Sequence, residues 1–77
     1  MNVTIYSTPT CPFCKQTKAF LLEHKIDFVD VDVMADQDKA REMIQKSGQM
    51  GVPVTDIDGQ IIIGFDQKKL KELLKIA

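Results

Sequence analysis

The sequence predicts an α/β fold in the order β-α-β-α-β-β-α, with a four-stranded mixed sheet arranged 2-1-3-4 and helices on both faces. Three observations lead to it. Short β-branched or aromatic runs alternate with stretches of helical periodicity. An Asp58-Gly59 pair separates two such runs, the signal of a tight type I′ hairpin. No repeat, linker or charge block interrupts the chain, so residues 1–77 read as one domain. A βαβ unit makes its two strands parallel with a right-handed crossover, and the hairpin adds two antiparallel strands.

Each element has its own signal. Val3-Thr4-Ile5-Tyr6 reads as the first strand, ended by the loop Ser7-Thr8-Pro9-Thr10. From Pro12 the pattern turns helical, with Cys14, Thr17, Phe20, Leu21 and His24 on one stripe. Proline suits the first helical position because the N–H it lacks would be unpaired there, which puts Cys11 at the N-cap. Phe28 to Val33 alternates with period two, its aspartates on one side as in an edge strand with a wet face. Asp36 and Asp38 open the next helix, where carboxylates suit the positive end of the dipole. Ala40, Met43, Ile44 and Ser47 form its stripe, and Lys46 followed by Gly48 ends it. Val52-Pro53 leads into a strand over Val54–Ile57, and Gln60–Ile63 returns. Asp66 caps a last helix with Leu70, Leu73, Leu74 and Ala77 on one face. The two central strands are expected to be buried on both faces, which Val3, Ile5 and Val54 fit.

Composition narrows the function. Ten basic against eleven acidic side chains give a net charge of −1 and no basic stripe for nucleic acid. The longest aliphatic run, Ile61-Ile62-Ile63, is far short of the ~20 residues that span a bilayer. Met1-Asn2-Val3-Thr4 offers neither the basic nor the apolar region of a signal peptide, so the expected compartment is a reducing cytoplasm. Two cysteines are too few for a disulfide scaffold. Cys11 and Cys14 are also so close in sequence that a bridge would constrain the unfolded chain little. Chemistry is the better reason for the pair.

Cys11-Pro12-Phe13-Cys14 is a C-x-x-C at a strand–loop–helix junction, the setting of a redox motif. Free backbone N–H groups and the dipole at a helix N-terminus stabilise an anion, so a thiolate is favoured at Cys11. Cys14, within the first turn, is close enough to bridge to it and less exposed. Cys11 is therefore expected to attack a target disulfide and Cys14 to resolve the mixed disulfide. Thr10, Pro12 and Phe13 complete the turn without charge, and Phe13 offers a substrate an apolar surface. Two other readings stay open: a metal or iron–sulfur site shared between chains, and a pair of inert thiols. A closed zinc site needs four ligands, and His24, about three turns along the helix, cannot join the cysteines; no metal site within the chain is expected.

Tyr6-Ser7 ahead of Cys11-Pro12-Phe13-Cys14, then Val52-Pro53, Ile57-Asp58-Gly59 and Gly64-Phe65-Asp66, resemble in this order the glutaredoxin family of the thioredoxin fold. The resemblance covers essentially the whole chain. It implies a cis peptide before Pro53, packed against the cysteines, and a Val52 main chain that pairs with the incoming thiol peptide. It places Gly64, Phe65 and Asp66 at the substrate. It implies no bound cofactor, with reducing equivalents from glutathione or, by way of NADPH, from thioredoxin reductase, a flavoprotein. The implied partners are disulfide-containing proteins and that reductase or glutathione, with no nucleic acid, no membrane and a monomeric chain.

Departures from the family pattern refine this. Glutathione-using members usually carry a basic residue where Thr8 stands, Arg or Gln where Met50 stands, and Thr where Gly51 stands. Carboxylates of glutathione want charge-assisted donors, which a hydroxyl, a thioether and a bare glycine do not supply. Many members have Gly-Gly where this chain has Ile63-Gly64. Gly64-Phe65 ahead of a polar helix start is also similar to glutaredoxin-like redoxins that thioredoxin reductase reduces and that feed ribonucleotide reductase, although those usually lack the Pro-Phe pair. The resulting expectation is a dithiol thiol–disulfide oxidoreductase acting on protein disulfides and recharged by thioredoxin reductase. A glutathione-dependent glutaredoxin and a non-enzymatic iron–sulfur carrier are the alternatives. Lys15 and Lys18 read as solvated, His24 as a residue at the helix C-terminus, Met43 as core, and Met50 as either an ordinary loop residue or one lining the thiol groove. Phe65 reads as either a partner contact or a packed loop residue, and Asp66 as an N-cap or a substrate anchor.

Overall fold

The computed structural model describes residues 2–75. Its elements are β1 (Val3–Ser7), α1 (Pro12–Glu23), β2 (Val29–Asp32), α2 (Gln37–Ser47), β3 (Val54–Ile57), β4 (Gln60–Ile63) and α3 (Gln67–Leu74). The sheet runs β2-β1-β3-β4, as the sequence predicts, and the whole is the thioredoxin fold. β1 and β2 are parallel, with Ile5 opposite Asp30. β3 runs antiparallel to both its neighbours, placing Thr55 opposite Ile5 on one side and Ile62 on the other.

Alternation along the strands divides the core in two. Val3, Ile5, Ile57 and Ile62 turn to one face and pack on Phe20 and Leu21 of α1 and on Leu70 and Leu74 of α3. Tyr6 and Val54 turn to the other and pack on Met43 of α2. Burying each such aliphatic side chain stabilises the fold by about 1.5–3 kcal/mol. Polar atoms brace the α2 face. The Tyr6 hydroxyl donates to Glu42 at 3.0 Å, while Lys46 donates to Tyr6 at 3.1 Å and to Asp56 at 2.8 Å. The Asp56 and then the Tyr6 hydrogen bond hold the Lys46 ammonium above its ordinary range.

Helix ends follow the sequence signals. Asp36 and Asp66 cap α2 and α3 by accepting from the N–H groups of Lys39 and Lys69. Gly48 takes the left-handed conformation at the end of α2 (φ 75°), where a residue with a Cβ would be strained. α1 ends with Lys25 in the left-handed region and the Ile26 N–H returning to Leu21 O at 2.9 Å. Ala77, expected on the inner face of α3, lies outside the described residues.

Two expectations for the edge strand need correction. Phe28 precedes β2 and packs into the α1–α3 core, and Val29, predicted inward, is 61% exposed because the α2 cluster begins only at Val31. On the other face Asp30 is not simply wet. Its Oδ1 accepts from the Ser7 hydroxyl and its Oδ2 lies 2.7 Å from Lys18 Nζ, so Lys18 is an ion-pair partner, not a free solvated lysine. Partial burial pushes the Asp30 carboxyl up, but the Lys18 and Ser7 hydrogen bonds outweigh it and hold the carboxyl below its usual range.

Thr55 is fully buried between Ile5 and Ile62, and among the described residues its hydroxyl has no hydrogen-bond partner. An unpaired buried hydroxyl costs about 1–3 kcal/mol. Thr55→Val keeps the shape and removes the orphan, so it is expected to raise the urea midpoint by an amount equivalent to about 1 kcal/mol with an unchanged slope. A lowered midpoint would show that the hydroxyl has a partner.

Candidate active site

The C-terminal end of β1, the start of β3 and the end of β4 lie at one end of the sheet. Three loops meet there, carrying Cys11, Val52-Pro53 and Gly64. Cys11 is the N-cap of α1, in extended conformation (φ −89°, ψ 115°). Its sulfur accepts the Cys14 N–H at 3.1 Å, one of the donors that a first helical turn leaves unpaired. The Cys11 S–H points to the carbonyl of Val52 at 3.9 Å. The Val52–Pro53 peptide is cis, as the resemblance implies, and the Gly64 N–H donates to Pro53 O at 2.9 Å. The structure thus brings Cys11, Cys14, Val52, Pro53 and Gly64 together.

Both cysteines are free thiols with unlike surroundings. Cys11 is half-buried, and Cys14 is fully buried beneath it. Burial pushes the Cys14 thiol up to about 11, with the hydrogen bond and the charge of Cys11 acting in the same direction. The Thr8 backbone and Lys18 oppose this without overcoming it. Cys14 is therefore protonated at neutral pH while Cys11 is free. A disulfide at the Cys11 sulfur leaves it no charge, and that charge is one of the influences that hold the Cys14 proton.

Phe13 is 58% exposed and Met50 79%, while Thr10 and Pro12 are also at the surface. Phe65 is the packed residue of its two expected forms, half-buried with its ring edge-on to Phe20 at 6.1 Å. Asp66 is occupied as a cap. Gly64 has φ 76°, and a Cβ there would meet open space. His24 ends α1 and packs on Phe20 at 4.5 Å. Among the described residues no three His, Cys, Asp or Glu side chains gather as metal ligands, and no helix is long and apolar enough to cross a membrane. Sequence reasoning passed over Gln49, whose side chain bonds both main-chain polar groups of Gly51. The trace it left in the sequence was a glutamine two residues before a glycine, in the loop that leads to Val52-Pro53.

The sequence model of the glutaredoxin family matches residues 3–62. The chain belongs to the glutaredoxin family. A glutaredoxin-like 8.6 kDa protein from the rubredoxin operon of Clostridium pasteurianum is 51% identical, over 95% of this chain and 97% of that one. Glutaredoxin 3 of Escherichia coli K12 is 40% identical, over 84% of this chain and 78% of that one. The crystal structure of a glutaredoxin from Archaeoglobus fulgidus superposes with a TM-score of 0.89 at 29% identity, covering 96% of this chain and 86% of that one. Glutaredoxins are thiol–disulfide oxidoreductases, and that is the reaction class of this chain.

The unequal burial of the thiols has two measurable consequences. Iodoacetamide is expected to label the reduced, folded protein at Cys11 alone and to label Cys14 only in denaturant, as read by peptide mass spectrometry; Cys14 labelling in the folded state would contradict its burial. A thiol held above its ordinary value of 9.0 contributes stability that is complete below that pH and is lost as pH rises toward about 11. The urea midpoint of the reduced protein is therefore expected to fall across that window, and to fall less in Cys14→Ala.

Proposed function

We propose that this glutaredoxin reduces disulfides of other proteins, with Cys11 as nucleophile, Cys14 as resolving thiol and the Val52-Pro53 main chain as the platform for the substrate peptide. The observation that carries this reading is the Cys11 sulfur at the head of α1, 3.9 Å from the Val52 carbonyl with Cys14 buried behind it. Cys11, as thiolate, attacks one sulfur of the target disulfide. The target S–S bond breaks, its second sulfur leaves as a thiolate and takes a proton, and a mixed disulfide remains. Cys14 then gives up its proton and attacks the Cys11 sulfur. The target's remaining sulfur leaves and is protonated, so two electrons have passed to the target and a Cys11–Cys14 disulfide has formed. Thr10, Pro12 and Phe13 shape the attacking turn, while Gly64 lines the side reached by the substrate and the packed Phe65 and the capping Asp66 hold that side in place.

Thioredoxin reductase, drawing on NADPH, returns the protein to the dithiol. What supports this choice over glutathione is the absence of cationic side chains at Thr8, Met50 and Gly51, where the two glutathione carboxylates would need donors. The protein works in this reading as a monomer in the reducing cytoplasm. Open space beside Gly64 favours glutathione as the second reading.

Cys11→Ser is expected to lower protein-disulfide reduction by about a hundredfold or more, and Cys14→Ser to accumulate a mixed disulfide on Cys11. Trapping through Cys14 in the Cys11→Ser protein would reverse the roles. NADPH oxidation during reduction of a protein disulfide is expected with thioredoxin reductase as feeder and not with glutathione plus glutathione reductase. Turnover with the second feeder alone would make glutathione the reductant.

A further inference from the structure

The loop from Ser47 to Pro53 joins α2 to β3 and carries the main chain that faces Cys11. It is held by its own side chains. The Ser47 hydroxyl bonds to Met43 O at 2.7 Å and accepts the Gln49 N–H at 3.4 Å. Gln49 then reaches forward two residues. Its Nε2 donates to Gly51 O at 3.0 Å, and its Oε1 accepts the Gly51 N–H at 3.0 Å. Both main-chain polar groups of Gly51 are engaged by one side chain, and Met50, spanned by the clamp, stands out at 79% exposure. A Cβ at Gly51 would lie 2.7 Å from Gln49 Oε1, closer than Cβ atoms approach, so a side chain at 51 and the clamp compete for one space. The next residue, Val52, is the one whose carbonyl meets the Cys11 sulfur.

We propose that Gln49 is a positioning residue: its clamp on Gly51 fixes the Val52 main chain beside Cys11 for pairing with an extended, disulfide-bearing protein segment. This inference rests on the thiol–disulfide reading above and deepens it by naming what selects the substrate. A protein segment pairs through main-chain hydrogen bonds, and a platform ordered beforehand spares the complex the entropy of ordering it. Glutathione presents two carboxylates, and at this corner the Gln49 amide is consumed by the clamp while Met50 and Gly51 add no charged donor. A small disulfide that makes no main-chain contacts has no use for the platform. The clamp bonds are exposed, so they contribute to local order more than to global stability.

The test compares reduced wild-type protein with Gln49→Ala, Gly51→Ala and the double variant, free of other thiols, against two oxidants. Insulin supplies peptide disulfides, followed by acid quench and mass spectrometry; 5,5′-dithiobis(2-nitrobenzoate) supplies a small one, followed by absorbance. Gln49→Ala is expected to lower the second-order rate constant with insulin about three- to tenfold and to leave the small-disulfide constant within about twofold, with thermal stability unchanged. Gly51→Ala is expected to give the same loss, and the double variant no more than either single one, because both changes open the same clamp. An unchanged insulin constant, equal losses with both oxidants, or additive losses would overturn the clamp. A wild-type protein inert to both oxidants would overturn the redox reading itself.

Discussion

The hydrogen bond from the Cys14 amide to the Cys11 sulfur, 3.1 Å long, joins folding to chemistry in this protein. A helix begins with N–H groups that have no intrahelical partner, and some side chain has to meet them. Serine, threonine or aspartate usually does so, and Asp36 and Asp66 do it for the other two helices. At α1 the capping atom is a thiol sulfur. The donor that starts the helix is thereby spent on the atom assigned to attack, and the helix need not end in an inert cap. Pro12 fits this arrangement, since it removes one donor that would otherwise be unpaired at the head of the helix.

The rest of the fold holds that helix terminus against two loops. β1 delivers the chain to the head of α1, and its hydrogen bonding to β3 sets Tyr6 opposite Val54, which brings Pro53 and Val52 to the same end of the sheet. β4 closes the third side through the Gly64–Pro53 bond. The antiparallel pairing of β3 with both its neighbours is what makes this possible. Strand ends far apart in sequence, near residues 7, 53 and 63, converge without any of them leaving regular structure.

Burial then separates two chemically identical side chains. Cys11 faces the rim and Cys14 the interior, and the penalty of charging a desolvated sulfur keeps the inner thiol protonated while the outer one is free. Part of that penalty comes from Cys11 itself. That difference fits the proposed cycle, in which the outer thiol acts first and the inner one second. Lys18, paired with Asp30, modestly eases ionisation of Cys14, and its charge is anchored to the sheet by that pair.

Most of the architecture was legible in sequence because local signals and long-range packing agree. Period-two and period-3.6 patterns, a Pro at the head of α1, caps at Asp36 and Asp66, Gly48 at a helix end and Asp58-Gly59 at a hairpin each carry their own physical cause. The cysteine pair was legible for the same reason: its spacing and its place at a helix start are local facts. The sequence by itself therefore determined the element order, the strand pairing and the two sulfurs. Only the tertiary structure decided which neighbours they have. Val29 is exposed because α2 covers no more of β2 than the stretch from Val31, and Lys18 is paired because Asp30 lies across the crossover from it. Gln49 is a clamp only because the chain after Gly48 turns back within reach of its amide. Side-chain hydrogen bonds and the extent of helix cover depend on distances between elements, and residue type and spacing along the chain do not fix those distances.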